Sequence, residues 1–316
     1  MKRVSSLVLL PIALLAVSCV GNVNVRLIAE EYFNLGNIYF ELGEYEISFE
    51  YYQRAIALTD EVPGAGYNLA RLHERRDEFD EALAVLDELL ADDPENGLYR
   101  ETRAYVLFRA GRSDEARALY ADLIEDHPAR VRVRYNLAVF ELSDERPREA
   151  LEVLDGGIDF ARDDAEYRWL AAEAAYLSED EARAVRELEL FRSLSEDDNE
   201  RLGRLARRQA EWGFRLAALE LLTAVPELAE EDASLRFLEA RLYLLDTPEF
   251  DRGVGALELA LDNGFDDSDA IAELIEQLSE DEQEIIEALI AERSGESDDA
   301  QLSDDTESPD EEESEE

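Results

Sequence analysis

The sequence of 316 residues has one cysteine, one methionine, one lysine and two histidines. Each scarcity closes a class of chemistry. A lone cysteine makes no internal disulfide and no Cys-x-x-Cys metal or redox pair. The two histidines, His73 and His127, form no His-x-x-His spacing, so zinc has no motif to rest on. His127 precedes Pro128 and reads as a turn residue, His73 as a packed one. Glycines fall at turns and helix contacts, with no Gly-rich phosphate loop. The acid-rich run DNGFDDSD, residues 262–269, lacks the ligand order of a calcium loop. Positive charge is short as well: 31 Lys and Arg face 79 Asp and Glu, for a formal net charge of -48. Such a surface repels DNA, RNA and anionic lipid headgroups. Most of that charge lies in the body of the chain, ahead of its acidic end. Every cation except Lys2 is arginine, which fits either a high-salt setting or a GC-rich genome. The sequence therefore predicts no catalytic residue, no cofactor, no metal and no nucleic-acid partner.

No apolar run is long enough for a bilayer core. The longest, Leu7 to Val17, follows Lys2 and Arg3 and precedes small residues and Cys19. That is the layout of a secretory signal. It resembles a bacterial lipoprotein signal, in which the cysteine becomes the lipidated first residue. Ala16 stands where that family usually has leucine, with Leu15 one position earlier. Ordinary cleavage after Ser18 stays open, because Ala16 and Ser18 also make a small-x-small site. The pattern gives a signal peptide at 1–18 and a tether at 19–28, reaching at most roughly 35 Å. Under the enteric sorting rule, Val20 after the cysteine points to the outer membrane.

From Ala29 onward, apolar residues recur at i, i+3, i+4 and i+7, and nothing alternates as a strand does. YNLARL at Tyr67 and YNLAVF at Tyr135 show an internal repeat. Asn34, Asn68, Thr102 and Asn136 then fall 34 residues apart. Counting each repeat from Ala29, Pro63, Gly97 and Val131, the eighth position holds Gly36, Ala70, Ala104 and Ala138. The twentieth holds Ser48, Ala82, Ala116 and Ala150, and the twenty-fourth Tyr52, Leu86, Tyr120 and Leu154. Pro94 and Pro128 stop the second helix of their repeats. These residues resemble tetratricopeptide repeats, helical hairpins of 34 residues. Asp60 and Arg162 depart from that family's proline, and Arg103 from its leucine. The resemblance implies an all-α, right-handed solenoid with four well-matched repeats over 29–162. Degenerate repeats and closing helices follow over 163–292, the seventh only with about four residues inserted around Asp246 to Arg252. Ser279 to Glu282 is a capping box. Residues 293–316 read as a disordered acidic tail.

The resemblance also says which positions face the groove: the second, fifth, sixth, ninth and thirteenth. Asn34, Asn68, Thr102 and Asn136 are sixth-position residues. Their amides either hold the main chain of an extended partner segment, as in related asparagine ladders, or brace the neighbouring repeat. Fifth-position Phe33, Tyr67 and Tyr135 either grip a ligand or pack. Arg71, Arg75, Arg109 and Arg132 either make a local positive field for a carboxylate or pair with acids such as Glu74, Glu78 and Glu101. The implied protein is a non-catalytic scaffold, lipid-anchored through Cys19 on the bacterial envelope. It would hold a peptide or helix of a protein partner in its groove. The alternative is an accessory of a solute-uptake system that pairs with a substrate-binding protein.

Overall fold

The computed structural model describes residues 24–304. Cys19, the signal segment and the residues after Asp304 lie outside that range. Seventeen helices follow one another, with no strand among the described residues. Helix α1 (Val25–Glu41) starts ahead of Ala29 because Asn24 caps it, its side-chain oxygen accepting from the Leu27 amide. The hairpins continue with α2 (Tyr45–Leu58), α3 (Pro63–Arg75), α4 (Phe79–Asp92), α5 (Gly97–Arg109), α6 (Ser113–Asp126), α7 (Val131–Ser143) and α8 (Pro147–Asp155). Then come α9 (Ala165–Leu177), α10 (Glu181–Ser193), α11 (Asn199–Glu211), α12 (Arg215–Ala224), the short α13 (Glu227–Glu231), α14 (Ala233–Asp246) and α15 (Phe250–Asp262). Two closing helices are α16 (Ser268–Glu276) and α17 (Glu280–Asp304).

The turn inside each hairpin shows why the backbone repeats. Gly43, Asp77, Gly111, Glu145, Glu179 and Gly213 all have positive φ, between 57° and 83°, and they stand 34 residues apart. This left-handed residue lets the next amide reach back and satisfy a helix-end carbonyl. Glu78 N–H donates to the His73 carbonyl at 2.9 Å, Arg146 N–H to that of Glu141 at 2.8 Å, and Phe214 N–H to that of Gln209 at 2.7 Å. Three of the six are Asp or Glu, each held against a cost of about 1–2 kcal/mol. The register thus runs through six repeats, two beyond the clear sequence match.

Within a hairpin the helices approach at the small positions. Ser48 Oγ donates to the Gly36 carbonyl at 2.8 Å, and a Cβ added to Gly36 would stand 2.5 Å from the Tyr52 ring. Tyr52, Leu86, Tyr120, Leu154, Leu188 and Leu222 fill the resulting gaps and are fully buried.

The seventh repeat corrects the sequence reading. Its insertion is one residue, not four, since α15 begins at Phe250 rather than one position earlier. Thr247 stands where the left-handed residue belongs, but Pro248 follows it and confines it to extended backbone, with φ -135°. The small residue is then Gly253, whose Cβ would lie 3.0 Å from the Leu244 amide nitrogen, and the gap-filler is the fully buried Leu257.

The chain divides into two compact units. One holds the residues up to Arg162 together with Leu170–Ala184. The other holds Asp163–Trp169 together with Val185 onward. In the second, Phe237, Leu244, Leu257, Leu274 and Ile286 share one core. The capping box closes as the sequence indicates, Ser279 N–H donating to Glu282 at 3.0 Å. Helix α17 runs on to Asp304, past Glu292, because no proline interrupts it before Pro309.

Candidate functional site

In the N-terminal unit, a cleft of about 290 Å³ lies between α3, α5 and α7, the first helices of repeats 2 to 4. Its lining includes Arg71, Thr102, Arg132 and Asn136 from the predicted set, with Tyr67 at a fifth position. The helices place these side chains together because groove positions recur in register along neighbouring first helices.

The asparagines do not form a common rung. Asn34 is exposed and carries no side-chain hydrogen bond among the described residues. Asn68 is half-buried, and its Nδ2 donates to Asn37 Oδ1 at 2.9 Å and to the Tyr52 hydroxyl at 3.1 Å. Tyr52 donates in turn to Asn37 Oδ1 at 2.8 Å. Burial raises the Tyr52 phenol pKa and so keeps it a donor. Both donors of Asn68 are therefore spent on bracing repeat 1. Asn136 Nδ2 donates to Glu101 Oε1 at 2.8 Å, which leaves one donor and its carbonyl toward the cleft. Thr102 donates to the Leu98 carbonyl at 2.8 Å and stands 3.3 Å from the Tyr67 hydroxyl.

The arginines divide in two. Arg109 is held by Glu74 and by Asp77 at 2.9 Å, with Tyr105 beside it. Arg132 donates to the buried Glu101 at 2.9 Å, and that bond raises its pKa. Both are cross-repeat pairs that consume their charge. Arg71 and Arg75 have no hydrogen bond or ion pair among the described residues. Arg71 lies over the Phe40 ring at 4.9 Å and over Tyr67 at 5.9 Å, and Arg75 over Tyr45 at 4.3 Å. A guanidinium stacked on an aromatic face keeps its in-plane donors open.

Two cleft residues were absent from the sequence selection: Leu98 at a second position and Tyr105 at a ninth, 40% exposed. The register marks both, but neither carries the charge or amide that singles out the other groove positions. His73 is packed edge-on to Phe49 and bonded to Glu78 at 2.6 Å. His127 caps the end of α6. Among the described residues no cluster of His, Cys, Asp and Glu is disposed to hold a metal, and no helix is long and apolar enough to cross a membrane.

Two family models, each of the tetratricopeptide repeat, match this chain at residues 27–95 and 107–176. Those residues are tetratricopeptide repeats. The repeats therefore account for the hairpin pairing and for the groove positions described above. An uncharacterized lipoprotein of Treponema pallidum (strain Nichols) is 32% identical over 98 residues, 31% of this chain and 50% of that protein. The chain thus spans about half the length of this curated relative. A tetratricopeptide repeat protein from Parabacteroides merdae superimposes with a TM-score of 0.51 at 18% identity, over 79% of this chain and 98% of its own. MamA from Desulfovibrio magneticus gives 0.47 at 17% identity, over 54% and 96%. At such identities the likeness is one of fold.

Proposed function

We propose that this chain is a non-catalytic adaptor of the bacterial envelope that holds an acidic segment of a partner protein in the cleft of repeats 2 to 4. The observation that carries the reading is Arg71. It lines a cleft of register-matched side chains, over two aromatic rings, with no carboxylate paired to it among the described residues. A carboxylate from a partner would complete it with a charge-assisted pair. Tyr67 and Tyr105 offer flat apolar contact beside it, and Asn136 one amide donor. The asparagine ladder takes a smaller part than the sequence suggests, because Asn68 is committed to Asn37 and Tyr52.

Attachment through Cys19 is supported by the signal-like segment and by the likeness to a Treponema lipoprotein. Since α1 begins at Val25, the tether would reach at most about 20 Å, closer to the bilayer than a helix starting at Ala29.

The test is photocrosslinking in intact cells from a photoreactive residue in place of Tyr105, with the adduct identified by mass spectrometry. One defined adduct is expected. It should vanish with Arg71→Ala and survive Arg109→Ala, whose charge is already consumed. An adduct indifferent to Arg71, or none at all, would overturn the reading.

A further inference from the structure

A second cleft lies in the C-terminal unit, on the other side of the hairpins, between the second helices α10 and α12. It measures about 620 Å³, within the range of ligand sites. Its origin is visible in the repeat register. In repeats 2 and 4 of the N-terminal unit the eleventh-position side chain, beside the hairpin turn, is polar and has polar partners. In repeat 2, His73 meets Glu78 of the sixteenth position at 2.6 Å. In repeat 4, the buried Glu141 meets Arg146 of the sixteenth at 3.3 Å, and Arg117 of the preceding repeat's twenty-first at 3.1 Å. In repeat 6 the eleventh residue is Gln209, and those two partner positions hold Phe214 and Val185. Neither offers a donor. Gln209 Oε1 is buried with no hydrogen-bond partner among the described residues, and the residue lines the cleft. Native structures seldom leave such a group unmatched.

The lip is apolar where other repeats are polar or small. The eighteenth position holds Glu46, Asp80, Asp114, Arg148 and Ala182 in repeats 1 to 5, but Leu216 in repeat 6, 68% exposed. Arg192 lines the same cleft, half-buried, with no hydrogen bond or ion pair among the described residues. Glu189 and Glu220 also line it, and Arg215 is held by Asp246 at 3.0 Å. With Glu189, Glu220 and Asp246 on its lining, the cleft has room for one carboxylate, opposite Arg192, and not for an acidic tract. That disfavours the chain's own acidic end as the occupant.

We propose that this second-helix cleft docks a peptide segment of another protein. The segment presents one large apolar side chain to Leu216, Val185 and Phe214, a main-chain amide to Gln209, and one carboxylate to Arg192. A peptide amide carries an N–H and a C=O side by side, so it satisfies Gln209 whichever way that side chain's amide is turned. The site is lined by residues of the C-terminal unit alone and shares none with the groove of repeats 2 to 4.

The test is fluorescence anisotropy of the full chain with labelled short peptides. These carry Leu or Phe a few residues before Glu, in an Ala/Ser background. Matched controls put Ser for the apolar residue or Lys for Glu, and a further peptide copies residues 305–316. Only the apolar–acidic peptides are expected to bind. Leu216→Asp, which installs the residue of repeats 2 and 3 at an exposed site, should weaken binding by about tenfold or more, as should Arg192→Gln. Arg71→Gln should leave it unchanged. Circular dichroism and the melting midpoint check folding, and Arg192→Gln serves if Leu216→Asp disturbs it. The proposal is overturned if no peptide of the panel binds, or if the Lys or 305–316 peptides bind equally. Indifference to both cleft variants, or loss with Arg71→Gln, overturns it as well.

Discussion

Repeat 4, in the N-terminal unit, and repeat 6, in the C-terminal unit, are built on one backbone register and differ in where their polar groups find partners. In repeat 4, Glu141 is held from two sides by Arg117 and Arg146. In repeat 6, the positions of those two arginines hold Val185 and Phe214, and the Gln209 oxygen goes without a partner among the described residues. The turn bond from position sixteen back to position eleven is made in both, at 2.8 Å and 2.7 Å. The hairpin therefore does not depend on the side chains at those positions. Small residues and backbone caps carry the fold, and the paired positions are left to brace a neighbour or to open toward a partner.

The largest expected contrast comes from removing the polar group at position eleven in each repeat. Glu141→Leu removes a buried carboxylate from two arginines that keep Asp114, Asp144 and Glu149, and should destabilise repeat 4 by about 1–2 kcal/mol. Gln209→Leu removes a group that has no partner and should be close to neutral. Hydrogen exchange over α7–α8 and α11–α12 reads the two separately. Equal losses would erase the distinction between braced and open repeats.

Comparable in size are two glycines. Gly36→Ala drives a methyl into the Tyr52 ring and should cost about 1–3 kcal/mol, read as faster exchange in α1 and α2. Gly255→Ala, in α15, meets nothing within 4 Å and should add about 0.5–1 kcal/mol of helix stability. Smaller still is Glu179→Gly at a left-handed turn, which should stabilise its hairpin by about 0.5–1 kcal/mol, seen as a raised unfolding midpoint in urea.

Two carboxyls, one in each unit, respond to pH in opposite senses. Burial raises the Glu239 carboxyl in the C-terminal unit, with Arg236 opposing. Its folded-state pKa lies above the unfolded one, so ionising it costs stability as pH rises between them. In the N-terminal unit, Glu149 is lowered by its own backbone amide first and by Arg146 second. It contributes stability at neutral pH that is lost as pH falls through its folded-state pKa. Relative to the unmodified chain, Glu239→Gln should gain stability as pH rises and Glu149→Gln as pH falls. Urea unfolding across that range checks both slopes, and parallel slopes would contradict the assignment.

Much of the fold is legible in the sequence because packing at positions eight, twenty and twenty-four admits few residue types. Gly36, Ala70, Ala104 and Ala138 can be found by counting alone. The seventh repeat is not, because Gly253 does the work of alanine and Pro248 shifts the turn by one residue. The site is less legible. Whether a sixth-position asparagine faces a partner depends on what the preceding repeat offers it. Asn37 offers an oxygen to Asn68, and Glu101 offers one to Asn136, whereas nothing among the described residues offers one to Asn34. Arg71 and Arg109 look alike in sequence and part company because Glu74, which lines the cleft with Arg71, and Asp77 both pair with Arg109. The cleft at Gln209 could have been found from the exchange of polar partners for Val185 and Phe214 at fixed register.

The central claim is that partners bind where repeat positions are left open and not where they brace one another. Hydrogen exchange of the chain in native membrane vesicles, compared with the purified chain, tests it most directly. Added protection is expected along α3, α5 and α7 in the N-terminal unit and along α10 and α12 in the C-terminal one. Protection on α4, α6 and α8 instead, or spread evenly over all hairpins, would contradict it.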